Sequence, residues 1–233
     1  DEALTDRLFP VRLLLLGEHH MEARSHAFQA RMLEQLSLSG RTVTVALEML
    51  PPAANEALEG WRTGALSEEH FLEQSAWYEH WGFPWSYYRD VFLTIRTHGL
   101  PVRGVNVDEP TRRAVREGRV AELDPGLREE IGDWREVVSP HRTWLQGLMG
   151  GSHGGMDPES EAFERLYRIQ RLWDRVMGLR AARLAEAQPP GGITVLLIGS
   201  GHLAHKLGAN LQAARVSALP QLTVWDDIVF RKE

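Results

Sequence analysis

The sequence predicts an α/β fold, in which a mostly parallel central sheet is flanked by helices. Apolar runs of strand length alternate with helical segments along the chain, as in sheets built with right-handed crossovers. The first run, Leu13–Leu16, contains no polar residue, which is typical of a strand buried on both faces. Because 233 residues suit one domain, we expect a single domain over residues 1–233, with a helical insertion at about 109–188.

Local signals then predict each element in chain order. An amphipathic helix is expected from about Glu22 to Leu38, where Gly40 stops it, and Pro84 suits the first turn of a helix that ends near His98. Shorter helices are predicted over Ala53–Trp61 and Ser67–Glu73. Five strands are predicted, over Val11–Leu16, Thr42–Leu47, Val102–Val107, Ile193–Ile198 and Leu222–Phe230.

The insertion has helical patterns and no strand pattern. Helices are predicted over Arg112–Leu123 and Leu127–Val137, and Asp157-Pro158 is expected to cap a long helix that ends near Ala187. The glycine-rich stretch at 150–155 predicts a mobile loop. A last helix is expected between His202 and about Ala213.

Composition excludes several functions. The net charge of −6 argues against a nucleic-acid partner, which would need a basic face. No cysteine is present, so a metal ion would have to be held by His, Asp, Glu or Tyr. Because the sequence begins at Asp1 rather than at a methionine, it says nothing about a preceding targeting segment.

Polar side chains follow four of the predicted strands, at the point where each strand ends. Ligands of parallel α/β sheets bind beyond the carboxyl ends of the strands, so these side chains are expected along one rim. Two imidazoles and two carboxylates there are suitable ligands for a divalent ion. The alternative to a shared site is that each of these residues, taken singly, caps a helix or lies in a loop. The rim residues are Glu18, His20, Glu48, Asn106, Asp108 and His202.

One further histidine and one acid are candidates for positions near this rim. His26 either approaches it or lies at a half-exposed edge, with the edge slightly favoured. In the long helix Gln170 and Asp174 share an otherwise apolar face. A buried carboxylate needs a cation or a donor network, so Asp174 is expected to pair with an arginine or to join the site. The segment 199–204 also fits a dinucleotide-binding pattern, with Asp226 downstream, although only one further strand follows it.

Together these motifs resemble the ChaN-like haem-binding uptake proteins of the Tiki superfamily, which carry paired Gly-x-x-His motifs. The resemblance runs from about Arg12 to Gly208. One departure is Met21, where that family has an acidic residue. The residues that carry it are Gly17-Glu18-His19-His20 with His26, Ala46-Leu47-Glu48-Met49, Trp77 and Trp81, Val105-Asn106, Gln170, Trp173, Asp174 and Met177, and Gly199-Ser200-Gly201-His202.

The resemblance implies a haem-binding, iron-acquiring α/β protein, with haem held at a homodimer interface through a tyrosine ligand. It also implies an extracytoplasmic or membrane-anchored lipoprotein, attached only through an N-terminal lipid anchor absent from this sequence, although a cytoplasmic location stays open. The tyrosines available are Tyr78, Tyr87, Tyr88 and Tyr167. The residues expected to contact haem are His20, His202, His26, Asn106, Tyr87 and Tyr88.

A metal-dependent protease or esterase is the alternative, because other branches of the superfamily use the Gly-x-x-His histidines in that way. In this case Glu18, Glu48, His20 and His202 would hold a divalent ion, or one of the two glutamates would act as the general base. An interaction module that has lost the chemistry is a third possibility.

Overall fold

A computed structural model describes residue 8, residues 10–151 and residues 155–225, and it contains the predicted α/β fold. Five strands form one sheet in the order β3-β2-β4-β1-β5, and every neighbouring pair is parallel. The strands are β1 (Leu13–Glu18), β2 (Val43–Leu47), β3 (Val102–Gly104), β4 (Ile193–Gly199) and β5 (Gln221–Trp225).

The central strands are buried on both faces, as their apolar runs predict. In β1, Leu14 and Leu16 point into one core cluster, while Leu13 and Leu15 point into another on the opposite face. Helices from the first half of the chain cover the first face and helices from the second half cover the other. A parallel sheet covered in this way exposes little of its surface except at its ends.

Ten α-helices are described. Those before β3 are α1 (Ala23–Leu38), α2 (Asn55–Thr63), α3 (Glu68–Gln74), α4 (Trp77–His80) and α5 (Trp85–Thr97). The later ones are α6 (Glu109–Arg116), α7 (Pro125–Ile131), α8 (Ser139–Gly151), α9 (Glu161–Glu186) and α10 (Ala209–Val216). None of these helices is both long enough and apolar enough to cross a membrane.

The region between β3 and β4 is helical as predicted, but its boundaries differ. The second predicted helix of this region ends at Ile131, because Gly132 adopts a positive φ of 57° that breaks the helical path. The structure then adds α8, which sequence patterning missed. The long helix begins at Glu161, where the Ser160 side chain accepts a hydrogen bond from the Phe163 N–H, so Ser160 rather than Asp157 is its cap.

Other boundaries are also corrected. Strand β3 ends at Gly104 instead of Val107, and the helix expected from Arg112 begins earlier, at Glu109, because Asp108 caps it by accepting the Thr111 N–H. Residues 150 and 151 of the expected loop end α8, whereas 152–154 lie outside the described residues. The expected end of the last strand, 226–230, also lies outside them.

Close contact between α9 and α10 depends on Gly178. A Cβ atom built on Gly178 would lie 2.3 Å from the carbonyl oxygen of Ala209 and 3.0 Å from the backbone nitrogen of Ala213. Backbone atoms cannot move aside as a flexible side chain can. The glycine therefore sets the distance at which α10 packs on α9.

We expect Gly178→Ala to lower the free energy of unfolding by about 1–3 kcal/mol, because overpacking exceeds the gain in helix propensity. Gly147→Ala is the matched control, since Gly147 lies inside α8 with no atom within 4 Å of its added Cβ. That control should raise the free energy of unfolding by about 0.5–1 kcal/mol. Urea denaturation of the two variants measures both changes, and a stabilised Gly178→Ala protein would contradict the packing argument.

Candidate functional site

The carboxyl ends of β1, β2 and β4 bring four of the six predicted rim residues together, namely Glu18, His20, Glu48 and His202, whereas Asp108 caps α6. Glu18 is the last residue of β1 and lies opposite Gly199 in the parallel register, while Glu48 directly follows β2. A Cβ added to Gly199 would lie 2.7 Å from Cε1 of His20 and 3.4 Å from Oε2 of Glu48. Residues about 180 positions apart in sequence therefore meet at one point on the sheet edge.

Glu18 is the centre of the first half of the site. Its carboxylate is 2% exposed, and Oε1 accepts hydrogen bonds of 2.9 Å from both the His20 Nδ1 and the Tyr88 hydroxyl. His26 Nδ1 lies 3.5 Å from Oε2, while its Nε2 donates to the His20 carbonyl oxygen at 3.1 Å. His26 therefore approaches the rim and is buried, instead of lying at the half-exposed edge that was favoured.

The charges in this half stabilise one another. Burial alone would raise the pKa of Glu18, but the hydrogen bonds from His20 and His26 lower it to about 2. Burial by itself would lower the pKa of His20 and of His26. The hydrogen bond and the charge of Glu18 have a larger combined effect, so the pKa of each histidine is raised above its ordinary value of 6.5. Glu18 is consequently an anion at neutral pH.

His202 is the centre of the second half. Its Nε2 lies 3.2 Å from Oε1 of Glu48, and its Nδ1 donates to Oδ1 of Asp174 at 2.7 Å. Burial would lower the pKa of His202, but the charge of Glu48 and the hydrogen bond to Asp174 raise it to about 10. The cation expected for Asp174 is thus the imidazolium of His202. The second carboxylate oxygen of Glu48 accepts the Gly199 N–H, and the second carboxylate oxygen of Asp174 lies 3.6 Å from Nε2 of His141.

Asn106, Tyr88 and Tyr87, which are predicted to contact haem, lie next to the charged side chains of the site. The Asn106 amide donates to the backbone oxygen of Glu48 at 2.9 Å, and its Oδ1 accepts the Val107 N–H, so its polar atoms hold the turn after β2. Tyr88 is fully buried, and both its burial and the charge of Glu18 raise the pKa of its phenol. Tyr87 is half-buried, with its ring 6.1 Å from that of His26.

Two buried polar residues, His141 and Arg171, were not predicted from the sequence. His141, on α8, is fully buried with Nε2 3.6 Å from Oδ2 of Asp174. Arg171 is 2% exposed, and its Nε and Nη1 have no hydrogen-bond partner among the described residues. Arg171 directly follows Gln170 in the sequence, and this position was the available signal that it could be buried. Nothing around His141 in the sequence distinguishes it from a surface histidine.

Among the described imidazoles of the site, that of His20 is the most exposed to solvent. The His20 side chain is 32% exposed, and its ring lies against Trp81 at 4.9 Å and Phe83 at 4.8 Å between ring centroids. Among the described residues, Nε2 of His20 has no hydrogen-bond partner, since Glu18 takes Nδ1. Met21, the next residue in the sequence, is 66% exposed, and Tyr78, on α4, is 58% exposed.

These donors suit haem better than a bare divalent ion. No group of three His, Asp or Glu in the described part of the chain has the geometry to hold a metal ion, because histidines and backbone already occupy the carboxylates. A haem iron needs one axial donor from the protein and a wide apolar surface for its ring. His20 Nε2 could supply the donor, and Trp81, Phe83 and Met21 could supply the surface.

Dinucleotide binding is not supported by the geometry after β4. Two 3-10 turns, Ser200–His202 and Ala204–Lys206, follow the strand, and α10 begins only at Ala209. The helix N-terminus that would face a pyrophosphate is therefore absent from the turn after this strand. Asp226 lies outside the described residues.

Solved structures share this fold. The chain is 20% identical to ChaN of Campylobacter jejuni, a structure of cofacial haem binding, with a TM-score of 0.74 over 96% of this chain and 84% of that one. A mutant of the erythromycin esterase EreC in its open conformation is 15% identical, with a TM-score of 0.56 over 96% and 72% of the two chains. A Bacillus cereus protein is 14% identical, with a TM-score of 0.54 over 96% and 67%.

No curated protein sequence matches the chain. A family model does, and it is the model for haem-binding uptake proteins of the Tiki superfamily, ChaN, which matches residues 4–212. This range includes all six residues of the predicted rim, from Glu18 to His202. The chain therefore belongs to the ChaN family of haem-binding uptake proteins in the Tiki superfamily.

Proposed function

We propose that this protein binds haem at the carboxyl edge of its sheet, with Nε2 of His20 as the axial iron ligand. The observation that carries the proposal is the hydrogen bond from His20 Nδ1 to Glu18 at 2.9 Å. This bond occupies Nδ1, and Nε2 has no hydrogen-bond partner among the described residues, so Nε2 is the nitrogen that remains for the iron. Histidines that bind metals nearly always have such a partner on the other nitrogen.

The surroundings of His20 suit a flat apolar ligand. Trp81 and Phe83 flank the imidazole, and Met21 next to it is exposed although it is apolar. Covering these side chains with a porphyrin ring would remove apolar surface from water, which favours binding by roughly 25 cal/mol per Å². Met21, the departure from the family pattern, therefore contributes to the surface expected to contact haem.

A tyrosine ligand, which family resemblance suggests, has less support in this chain. Tyr88 donates its hydroxyl to Glu18, and Tyr167 is buried with its hydroxyl at the backbone of Val138. Releasing either phenol would leave buried polar groups unpaired. The accessible phenols are Tyr78 and Tyr87, and either one could lie near a haem on His20 without being its ligand.

Iron acquisition outside the cytoplasm is the biological role that we propose, with the haem held between two copies of the chain and an N-terminal lipid anchor as the membrane attachment. The description of the family as haem-binding uptake proteins supports a role in iron acquisition. The structure of the similar Campylobacter protein shows cofacial haem binding, which supports haem as the ligand, while the pairing of two copies follows from the family resemblance alone. Met21 and Tyr78 are exposed large side chains that a second copy could cover.

A metal-dependent hydrolase is less well supported. Such an enzyme needs an open coordination position and ligands that are free to bind the ion. Glu18 and Glu48 are instead buried in ion pairs with histidines. The fold shared with an erythromycin esterase is compatible with hydrolysis, but at 15% identity it carries no site residue over.

Haem titration tests the proposal. The purified protein should give a Soret change that saturates at one haem per chain, and His20→Ala should weaken the affinity at least tenfold, or by about 1.4 kcal/mol. His19→Ala is the matched control, because His19 is the exposed neighbour with no side-chain partner at the site. Unchanged affinity in His20→Ala, or its loss in Tyr78→Phe or Tyr87→Phe instead, would overturn the assignment of His20.

The scaffold behind His20 predicts a pH dependence of stability. His202 has a folded pKa of about 10 against 6.5 for the free side chain, so its ion pairs stabilise the fold fully below pH 6.5. This contribution is lost as the pH rises through 10. Removing one partner of a buried pair costs about 3–5 kcal/mol, so His202→Gln should lower the free energy of unfolding by that amount at pH 6.

Denaturation of wild type and His202→Gln at pH 6, 8 and 10 measures this effect. The difference between the two proteins should shrink steadily toward pH 10. His70→Gln, at an exposed histidine on α3, is the control and should show a small difference at every pH. A difference that grows with pH would mean that His202 is neutral in the folded protein.

A further inference from the structure

A buried positive charge on α9 takes no part in the proposed haem site. Arg171 is 2% exposed, and its Nε and Nη1 have no hydrogen-bond partner among the described residues. We propose that Arg171, together with His141 on α8, binds a small carboxylate anion between these two helices. The inference is independent of haem binding, because it concerns the protein without haem.

The charge of Arg171 cannot be removed by loss of a proton, since a guanidinium stays protonated at every pH at which proteins fold. The nearest acid in the sequence is Asp174, one turn further along α9, and its Oδ1 accepts from His202 at 2.7 Å. Arg171 itself forms no ion pair with any acid of the described ranges. A buried charge without a partner strongly destabilises a fold, which favours the uptake of an anion.

His141 supplies a neutral donor near this charge. The side chain is fully buried, Nδ1 has no hydrogen-bond partner in the described part of the chain, and Nε2 lies 3.6 Å from Oδ2 of Asp174. Burial and the nearby charge of Arg171 lower the pKa of His141 more than the charge of Asp174 raises it. The ring is therefore neutral at neutral pH, and its one N–H is available to an anion.

The surroundings favour a small, planar, singly charged anion. One guanidinium has one charge to balance, and its N–H groups match the two oxygens of a carboxylate. Two aromatic rings border the histidine: Trp144 is stacked on His141 at 5.8 Å between ring centroids, and Tyr167 lies at the same distance. Because Arg171 and His141 are almost without exposure, a short free carboxylate fits better than a propionate attached to haem.

The experiment measures the thermal midpoint of the haem-free protein in increasing sodium acetate, with sodium chloride keeping the ionic strength constant. The wild-type midpoint should rise and level off at least about 2 °C higher, because a ligand that binds only the folded protein stabilises it. Arg171→Met should abolish this rise, and without acetate it should be at least as stable as wild type, since it loses an unpaired buried charge. Arg165→Met is the matched control, an arginine of α9 that is 43% exposed, and it should keep the full rise.

A rise that persists in Arg171→Met, or a wild-type midpoint that moves no more in acetate than in chloride alone, overturns the proposal. If Arg171→Met does not fold, His141→Phe decides, because it keeps an aromatic ring and removes both nitrogens. It should weaken acetate binding by about fivefold, the value of one hydrogen bond, and an unchanged affinity overturns the proposal.

Addition of haem distinguishes the source of the carboxylate. A stabilisation by haem that requires Arg171, with none by acetate, would assign the pocket to a propionate and overturn the proposal of a free carboxylate. A protein that binds no haem but responds to acetate as expected would contradict the proposed function alone.

Saturation-transfer NMR of formate in the haem-free protein gives an independent measurement. The single formate proton should receive saturation from wild type and not from Arg171→Met, and excess acetate should remove the signal. Equal transfer from the two proteins would contradict binding at Arg171.

Discussion

The imidazole of His202 lies between two buried carboxylates, and the geometry of the site depends on the positive charge that this ring carries. Glu48 comes from the end of β2 and Asp174 from the middle of α9. Without the imidazolium, two anions would be buried close together at the end of the sheet, at a cost of several kcal/mol. His202 therefore holds the strand ends and the long helix in one arrangement.

The two Gly-x-x-His motifs have different roles, although they look alike in sequence. Each follows a central strand, and each histidine contacts a buried glutamate. His202 uses both of its nitrogens inside the protein, whereas Nε2 of His20 has no hydrogen-bond partner among the described residues. In the proposed function the first motif presents the iron ligand, and the second supplies internal charge. A buried ion pair of this kind contributes little net stability, so its value lies in fixing positions.

The apolar runs were sufficient to predict the sheet and the common edge, because parallel strands end on the same side whatever their order. The pairing of Asp174 followed from one acid on an apolar helix face. Sequence patterning could not supply α8 or His141, since the glycine pair after this helix resembles a loop and its histidine has no partner nearby in sequence. It also could not say that His26 would turn inward, because that depends on the depth at which α1 packs.

Strand order has a consequence for how the chain is made. β4 lies between β2 and β1, yet it begins at Ile193, long after both of these neighbours have been synthesised. Until then β1 and β2 each lack the neighbour that joins them, and their apolar side chains and open backbone edges have no permanent cover. Such non-local pairing slows folding and leaves intermediates prone to aggregation.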